Sequence, residues 1–422
     1  MKKLLISSVL LAGMLSFFSC SDNNEPYDDF PDQTTTEAET TAEPTTEPKK
    51  TYDYVHGSEG YYNIADEISD FEMETQEGGT CWLYAGVAGM GTAYAKKYGS
   101  YPSINPLDLL DVNYINERKE GFFPKEGSDP KEIGGWQWIL TETMTNGFGD
   151  YVIDSSVILD VNDREAIKKA VKARGGVAIG VNDTSKKYKG WFGKYYTLNY
   201  SKKEFDHDVT IIGYDDHFPK DYFNEPASED GAWITYNSSF GSAGFFYVSY
   251  CAPLEYGISH SVTDKYGEVL SHDAGNEQDR YIKTGNGTIV ANVFHKQGKL
   301  AAVGTYNDFD EQNIKIEIYD SEFKNRLYSQ DAVLGFHGYH TIELDKPIDV
   351  TDYAIVVSYE KGAPVEGETI DFGNSEYKTV SEKGQSFVYI ANWKDMTDSD
   401  IKTALGIDFT PNNCCIKALY AK

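Results

Sequence analysis

The spacing of hydrophobic residues changes along the chain and divides it into a helical stretch followed by strand-rich stretches. Helical spacing begins near Cys81, Asn105, Gly135 and Asp163, and the last of these helices stops at Gly175. Strand spacing then predicts strands over 177–181, 195–200, 209–214, 232–236 and 245–250. Helices before strands favour an α+β domain with two lobes, which we place at residues 53–264.

The remainder of the chain, from about residue 265, shows no convincing helix of any length. Ile314, Ile316 and Ile318 alternate with polar neighbours, which gives a strand one buried and one solvated face. Similar strand-like runs occur at 289–293, 300–305, 339–344, 353–359, 386–391 and 415–421. Short strands separated by turn residues predict an all-β sandwich domain over residues 265–422.

The N-terminal segments predict export rather than folded structure. A basic start and an apolar run, residues 2–18, are typical of a signal peptide and too short to favour a transmembrane helix. The sequence around Cys20 resembles a bacterial lipoprotein signal, so residues 1–20 predict export with a lipid anchor on Cys20. An ordinary cleaved signal with full secretion is the alternative. Residues 21–52 are rich in Thr, Glu and Pro, a composition that predicts a disordered linker.

The charge of the chain argues against nucleic acid as a partner. Lys and Arg number 38 against 67 Asp and Glu, a net charge of -29, whereas binding to a phosphate backbone requires clustered cations. Five cysteines are few for a disulfide framework. The composition therefore suits a soluble exported protein, with the membrane reached only through a lipid on Cys20.

Cys81 stands where a glycine-rich turn, Gly78-Gly79, meets a predicted helix that continues with Trp82. The unsatisfied N–H groups and partial positive charge of a helix N-terminus stabilise a thiolate, which is the nucleophilic form of cysteine. The alternative is an inert core cysteine, because free cysteines are among the most buried residues. Two downstream residues bear on that choice.

His207 and Asn237 are both predicted at the ends of strands. A thiol nucleophile needs a base to accept its proton, and the base needs a third group that fixes its ring orientation. Histidine and asparagine meet these two needs. Taken singly, each has an alternative interpretation, since a histidine is often structural and an asparagine before a turn often serves only the turn.

The order of these motifs resembles the papain family of cysteine peptidases. The resemblance rests on Gln76, Cys81-Trp82, Asp206-His207 with Val209, Gly213-Tyr214 and Asn237-Ser238. A bacterial exported branch with a lectin-like β-domain after the peptidase is more similar still, through the segment 223–233 and Tyr339-His340-Thr341. The resemblance covers roughly residues 60–420.

The resemblance implies a two-lobed papain-like fold and peptide-bond hydrolysis through an acyl-enzyme. Cys81 would be the nucleophile, His207 the general acid and base, and Asn237 the residue that holds the imidazole. Gln76 and the Cys81 backbone N–H would form the oxyanion hole. The substrate would be a protein or peptide, with no metal or organic cofactor.

Three positions depart from the pattern of the family. The spacing from Gln76 to Cys81 is one residue shorter than usual, and Ser239 stands where the family has a tryptophan, with Phe240 as its substitute. Asp208 replaces a small residue, and its charge is expected either to raise the pKa of His207 or to shape the pocket.

A second function hypothesis therefore stays open, in which the chain is a surface adhesin or carbohydrate-binding protein and its peptidase-like half is an inactive scaffold. Its β-domain would then bind a glycan or another surface ligand. No metal site is predicted, because His337 and His340 would point to opposite faces of a strand.

Overall fold

The computed structural model of the protein describes residues 54–68, 71, 74–114, 120–183, 189–191, 195–223, 225–240, 245–276, 280–285 and 287–422. The predicted signal peptide, Cys20 and the linker up to residue 52 lie outside this range. Within it, no helix combines the length and hydrophobicity that a membrane span requires. We refer to residues 54–264 as the N-terminal part and to residues 265–422 as the C-terminal part.

The described part of the chain contains five α-helices, four of them in the N-terminal part. They are α1 (Cys81–Tyr98), α2 (Pro106–Tyr114), α3 (Gln137–Thr145), α4 (Arg164–Ala173) and α5 (Ile401–Leu405). Side chains cap two of these helices: Asn105 accepts a hydrogen bond from Leu107 N at 3.0 Å, and Asp163 accepts one from Ala166 N at 3.0 Å. Helix α1 is buried along most of its length, which explains how it tolerates three internal glycines.

The N-terminal part carries ten described strands. They are β1 (Tyr61–Asn63), β2 (Gly121–Pro124), β3 (Val152–Leu159), β4 (Val177–Val181), β5 (Lys189–Trp191), β6 (Tyr195–Leu198), β7 (His207–Asp215), β8 (Ala232–Tyr236), β9 (Phe246–Ser249) and β10 (Glu255–Thr263). Strand β7 is central, since it pairs antiparallel with β1, β4 and β8. The sequence prediction missed β1, β2, β3, β5 and β10.

The C-terminal part is almost entirely β-structure, as predicted. Its strands are β11 (Tyr266–Leu270), β12 (Tyr281–Ile282), β13 (Thr288–Asn307), β14 (Gln312–Asp320), β15 (Arg326–Leu334), β16 (Gly338–Tyr359), β17 (Ala363–Pro364), β18 (Ile370–Asp371), β19 (Ser375–Lys378), β20 (Ser386–Ile390), β21 (Asn392–Asp395) and β22 (Ile416–Ala421). The prediction of separate strands over 289–293 and 300–305, and over 339–344 and 353–359, was wrong. Each pair is one long strand, and β13 and β16 are antiparallel partners whose register shifts near His295.

The two parts are joined by a seam of shared hydrogen bonds and shared core. Residues of β16 pair with β3, and β19 pairs with β2. One buried cluster contains Leu83, Phe122 and Leu140 of the N-terminal part together with Tyr377 and Cys415 of the C-terminal part. The hydrophobic core beneath α1 is therefore completed by the C-terminal part.

Candidate active site

Cys81 is the first residue of α1 and is buried. The first turn of α1 contains no acidic residue, and the N-cap residue Thr80 makes no side-chain cap hydrogen bond. The partial positive charge of the helix end is therefore directed at the sulfur without competition from a carboxylate in that turn. Nucleophilic chemistry at this residue belongs to the reduced form of its thiol.

His207 is the first residue of β7, and Asn237 immediately follows β8, the antiparallel neighbour of β7. Both side chains are buried, and His207 Nε2 lies 2.8 Å from Asn237 Oδ1. Asn237 Oδ1 also accepts a hydrogen bond from the backbone N–H of Ser239 at 3.0 Å, which identifies this atom as the amide oxygen. His207 Nε2 must then be the donor, which leaves Nδ1 of the neutral ring as the proton acceptor.

Gln76 links the turn before α1 to the segment after β8. Its Nε2 donates to Gly78 O at 2.8 Å, and its Oε1 accepts from Ser238 Oγ at 2.7 Å. The Gln76 backbone N–H donates to Ser238 O at 3.0 Å. Ser239 Oγ lies 3.4 Å from Gln76 Oε1 and 3.5 Å from His207 Nε2, so Gln76, His207 and Asn237 meet around two serines.

The helix that carries Cys81 is tied to the strand that carries His207. Thr210 Oγ1, on β7, donates to Ala85 O of α1 at 2.7 Å, and both residues are buried. The structure thus brings together the elements that bear all four predicted site residues. The roles assigned to these residues remain predictions.

Asp208 follows His207 and is buried, where its carboxylate accepts hydrogen bonds from Gln137 Nε2 at 3.0 Å and from Tyr256 OH. Burial raises the pKa of Asp208 to about 6, although these hydrogen bonds act in the opposite direction. Burial, with a smaller contribution from the charge of Asp208, raises the pKa of the neighbouring Glu255 to about 7. The site therefore contains two carboxyl groups that titrate near neutral pH.

Sequence analysis missed Gln137, Glu255 and Tyr256 as parts of this region. A glutamine between two tryptophans, at the start of a helix with an apolar buried face, was the one signal that could have indicated a buried polar contact. Phe240, predicted to replace a tryptophan of the family, packs its ring at 5.1 Å from Tyr196 and 4.9 Å from Phe246.

The two histidines set aside in the sequence contact other groups. His337 Nε2 lies 2.6 Å from Asp308 Oδ1, and His340 Nε2 lies 2.8 Å from the carbonyl oxygen of Phe336. Among the described residues, no group of three or more His, Cys, Asp or Glu side chains is arranged to hold a metal ion.

Two family models match the chain. Residues 142–265 match the papain family cysteine protease model, and residues 272–420 match the lectin like domain model. The chain therefore combines a papain-family cysteine peptidase domain with a lectin-like domain. The first match includes His207 and Asn237, whereas Cys81 and Gln76 precede it.

Among individual proteins, cathepsin F of Drosophila melanogaster is 23% identical over 193 residues, which cover 40% of this chain and 29% of that protein. The chain thus spans less than a third of the curated relative that it matches. The solved structure of the cysteine protease and lectin-like domains of Cwp84, a surface layer associated protein of Clostridium difficile, is similar with a TM-score of 0.70. That structure is 18% identical, over 87% of this chain and 89% of the solved chain.

Cwp84 after propeptide cleavage gives a TM-score of 0.68 at 19% identity, over 86% of this chain and 99% of that one. At these identities the likeness concerns the fold. It confirms the predicted class: a two-lobed papain-like domain followed by a lectin-like β-domain.

Proposed function

We propose that this chain is an exported cysteine peptidase that hydrolyses peptide bonds with Cys81 as its nucleophile. The hydrogen bond between His207 Nε2 and Asn237 Oδ1 carries the proposal. It orients the imidazole and leaves Nδ1 as the atom that exchanges a proton with the thiol. The papain-family match over 142–265, which contains both residues, supports the same assignment.

The reaction uses the reduced form of Cys81. Nδ1 of His207 accepts the thiol proton, and the thiolate attacks the carbonyl carbon of the scissile bond. The imidazolium then returns that proton to the leaving amine as the C–N bond breaks, which leaves a thioester on Cys81. His207 next takes a proton from water as the oxygen attacks the thioester carbon. The C–S bond then breaks, the carboxylic acid leaves, and the imidazolium returns the proton to the sulfur of Cys81.

The oxyanion formed in both steps would be stabilised by the backbone N–H of Cys81 and by the amide of Gln76. One Nε2 hydrogen of Gln76 is donated to Gly78 O, and the second is available to the developing negative charge. Such donors act without reorganisation because the turn already holds them in place. The mechanism uses neither a metal nor an organic cofactor.

The location and partners follow from the same proposal. Proteins or peptides are the substrates, the signal at residues 1–20 directs export, and a lipid on Cys20 anchors the chain to the membrane. The description of Cwp84 as a surface layer associated protein supports a cell-surface location. The net charge of -29 weighs against nucleic acid as a partner.

The test compares the full chain with Cys81→Ala, Asn237→Ala and Cys251→Ala under reducing conditions, with casein or gelatin as substrate. Cys81→Ala is expected to abolish cleavage. Asn237→Ala should lower it at least about tenfold, because the imidazole loses its orientation. Cys251, a partly exposed free thiol, is the matched control, and its replacement should leave cleavage unchanged.

A thiol-directed epoxide followed by mass mapping identifies the reactive sulfur in the same samples. Labelling is expected on Cys81 at neutral pH and to be slowed in Asn237→Ala. Cleavage that survives Cys81→Ala, or labelling confined to Cys251, would refute the proposal.

The lectin-like match over 272–420 favours glycan binding as a second activity. If the chain is instead an adhesin on an inactive scaffold, a glycan array will show binding that Cys81→Ala leaves intact, and no cleavage will be detected in either protein. Cleavage together with glycan binding would assign a separate activity to each domain.

A further inference from the structure

Gln137, the first residue of α3, lies between the helix that begins with Cys81 and the strand that begins with His207. Its side chain is fully buried, and its Nε2 lies 2.7 Å from Trp82 O and 3.0 Å from Asp208 Oδ2. Trp82 follows Cys81, and Asp208 follows His207. One amide group therefore joins the backbone beside the nucleophile to the side chain beside the base.

His260 fixes the orientation of this amide. Its Nε2 lies 3.3 Å from Gln137 Oε1, and its Nδ1 lies 3.1 Å from Ser156 Oγ. Burial, with a smaller contribution from Arg174, lowers the pKa of His260 to about 3, so the ring is neutral and carries one proton. Trp82 O can only accept, so the Gln137 NH₂ group faces it, and the Gln137 oxygen accepts the His260 Nε2 proton.

The packing leaves this side chain little freedom. A Cβ at Gly86 of α1 would lie 2.7 Å from Gln137 Oε1 and 2.0 Å from Leu140 Cδ2. Helix α1 therefore approaches α3 as closely as a glycine allows, with the amide between them. A second contact between α1 and β7, the hydrogen bond from Thr210 to Ala85 O, lies further along both elements from Cys81 and His207.

We propose that Gln137 is a positioning residue that sets the separation of Cys81 and His207. It acts through the first turn of α1 and the first residues of β7, and the proposal rests on the peptidase function proposed above. Proton transfer and attack need near-attack geometry, and a displacement of about 1 Å can lower the rate about 100-fold. Because the Gln137 side chain is fully buried, we expect its replacement to change kcat rather than KM.

The first test compares Gln137→Leu with Thr210→Val in the full, reduced chain, after thermal melts confirm that both fold. Gln137→Leu is expected to lower kcat about 10–100-fold with KM within about twofold of the parent. Thr210→Val removes the more distant contact between the same two elements and should stay within about threefold of the parent. Equal losses in both variants, or a kcat for Gln137→Leu within about twofold of the parent, would overturn the proposal.

Gln137→Glu supplies a pH readout that a general packing defect would not produce. The groups near the introduced carboxylate are Asp208, Glu255, Tyr256 and His260, with His207 and Arg174 beyond. At about pH 7.5 it repels Asp208, whereas near about pH 5 the two carboxyls can share a proton and restore the contact. The activity relative to the parent should therefore rise about tenfold as the pH falls. A flat ratio would refute the positioning role, and this test decides if Gln137→Leu does not fold.

The parent chain and Cys81→Ala are measured first, so that the two proposals fail separately. If both cleave substrate equally, or neither cleaves, the peptidase function is refuted and the positioning role falls with it. If only the parent cleaves and the Gln137 variants match the parent, the positioning role alone is refuted.

Discussion

The candidate active site and the seam between the two parts both bury polar side chains, but these side chains are compensated differently. At the seam, Lys417 and Asp273 of the C-terminal part form an ion pair at 2.8 Å in which neither side chain is exposed, and Lys417 Nζ also lies 3.3 Å from Asn146 Oδ1 of the N-terminal part. In the candidate active site, Asp208 accepts hydrogen bonds from the neutral donors Gln137 and Tyr256, and burial raises its pKa to about 6. The buried charges of Lys417 and Asp273 thus neutralise each other, whereas Asp208 can change its protonation state near neutral pH.

This difference indicates a division of roles. A fully buried ion pair mainly specifies how elements fit together, and its loss leaves an uncompensated charge. Buried neutral donors around a titratable group hold geometry while permitting a change of charge. We therefore expect substitutions at the seam to lower stability at every pH. Substitutions in the candidate active site should alter catalysis and the pH dependence of stability.

The largest effect is expected from removing residues 265–422. The cluster that contains Phe122, Ile139 and Leu140 would lose Tyr377 and Phe372, and each buried aromatic ring covers about 150–250 Å². The N-terminal part alone should show no cooperative thermal unfolding by circular dichroism. Deletion of the linker, residues 21–52, is the control and should leave the transition in place. A sharp transition and proteolysis by the N-terminal part alone would show that the seam is dispensable.

Lys417→Met tests the ion pair itself. It leaves Asp273 buried without its cation, which should cost about 3–5 kcal/mol of unfolding free energy in urea titration. The double variant Lys417→Met/Asp273→Leu should recover most of that loss, because both charges are then absent. Peptidase activity per folded molecule should not change. A cost below about 1 kcal/mol for the single variant would contradict the assignment of the pair to folding.

Asp208→Asn should give the smallest change in the free energy of unfolding, and the size of that change depends on pH. Because burial raises the pKa of Asp208 from 3.8 to about 6, the folded state binds more protons than the unfolded state between these values. The protonated carboxyl contributes its full stabilisation below about pH 4. This contribution amounts to roughly 3 kcal/mol and is lost as the pH rises through about 6. The asparagine variant should therefore gain stability relative to the parent between about pH 4 and about pH 7.

Urea titrations at several pH values measure that gain. Asp331→Asn, at an exposed position on β15, is the control and should follow the parent at every pH. If the difference in unfolding free energy between the parent and Asp208→Asn is the same at about pH 4 and about pH 7, Asp208 is not the titrating group.

The elements that carry the candidate site residues could be predicted because their motifs are local. The start of α1 at Cys81, the start of β7 at His207 and the end of β8 before Asn237 all follow from hydrophobic spacing within short windows. Strand β3 was missed because its residues are buried in pairs rather than alternately, which removes the two-residue period. The polar run around His295 predicts a break between strands, whereas β13 continues through it with a shift of register.

The seam and Gln137 could not be predicted in this way, because they depend on contacts between distant segments. Lys417 looks like an ordinary charged residue in a strand, and only the approach of Asp273 explains its burial. Gln137 is likewise defined by Trp82, Asp208 and His260, which lie 55, 71 and 123 residues away. No short window of sequence contains these relations.

The position of Cys415 in the cluster that covers Leu83 bears on the biosynthesis of the protein. A polypeptide emerges from the ribosome with its N-terminus first, and synthesis of the intervening chain takes on the order of tens of seconds. During that interval helix α1 lacks part of the surface against which it packs. The contacts that surround α1 are therefore complete only after the end of the chain has been synthesised.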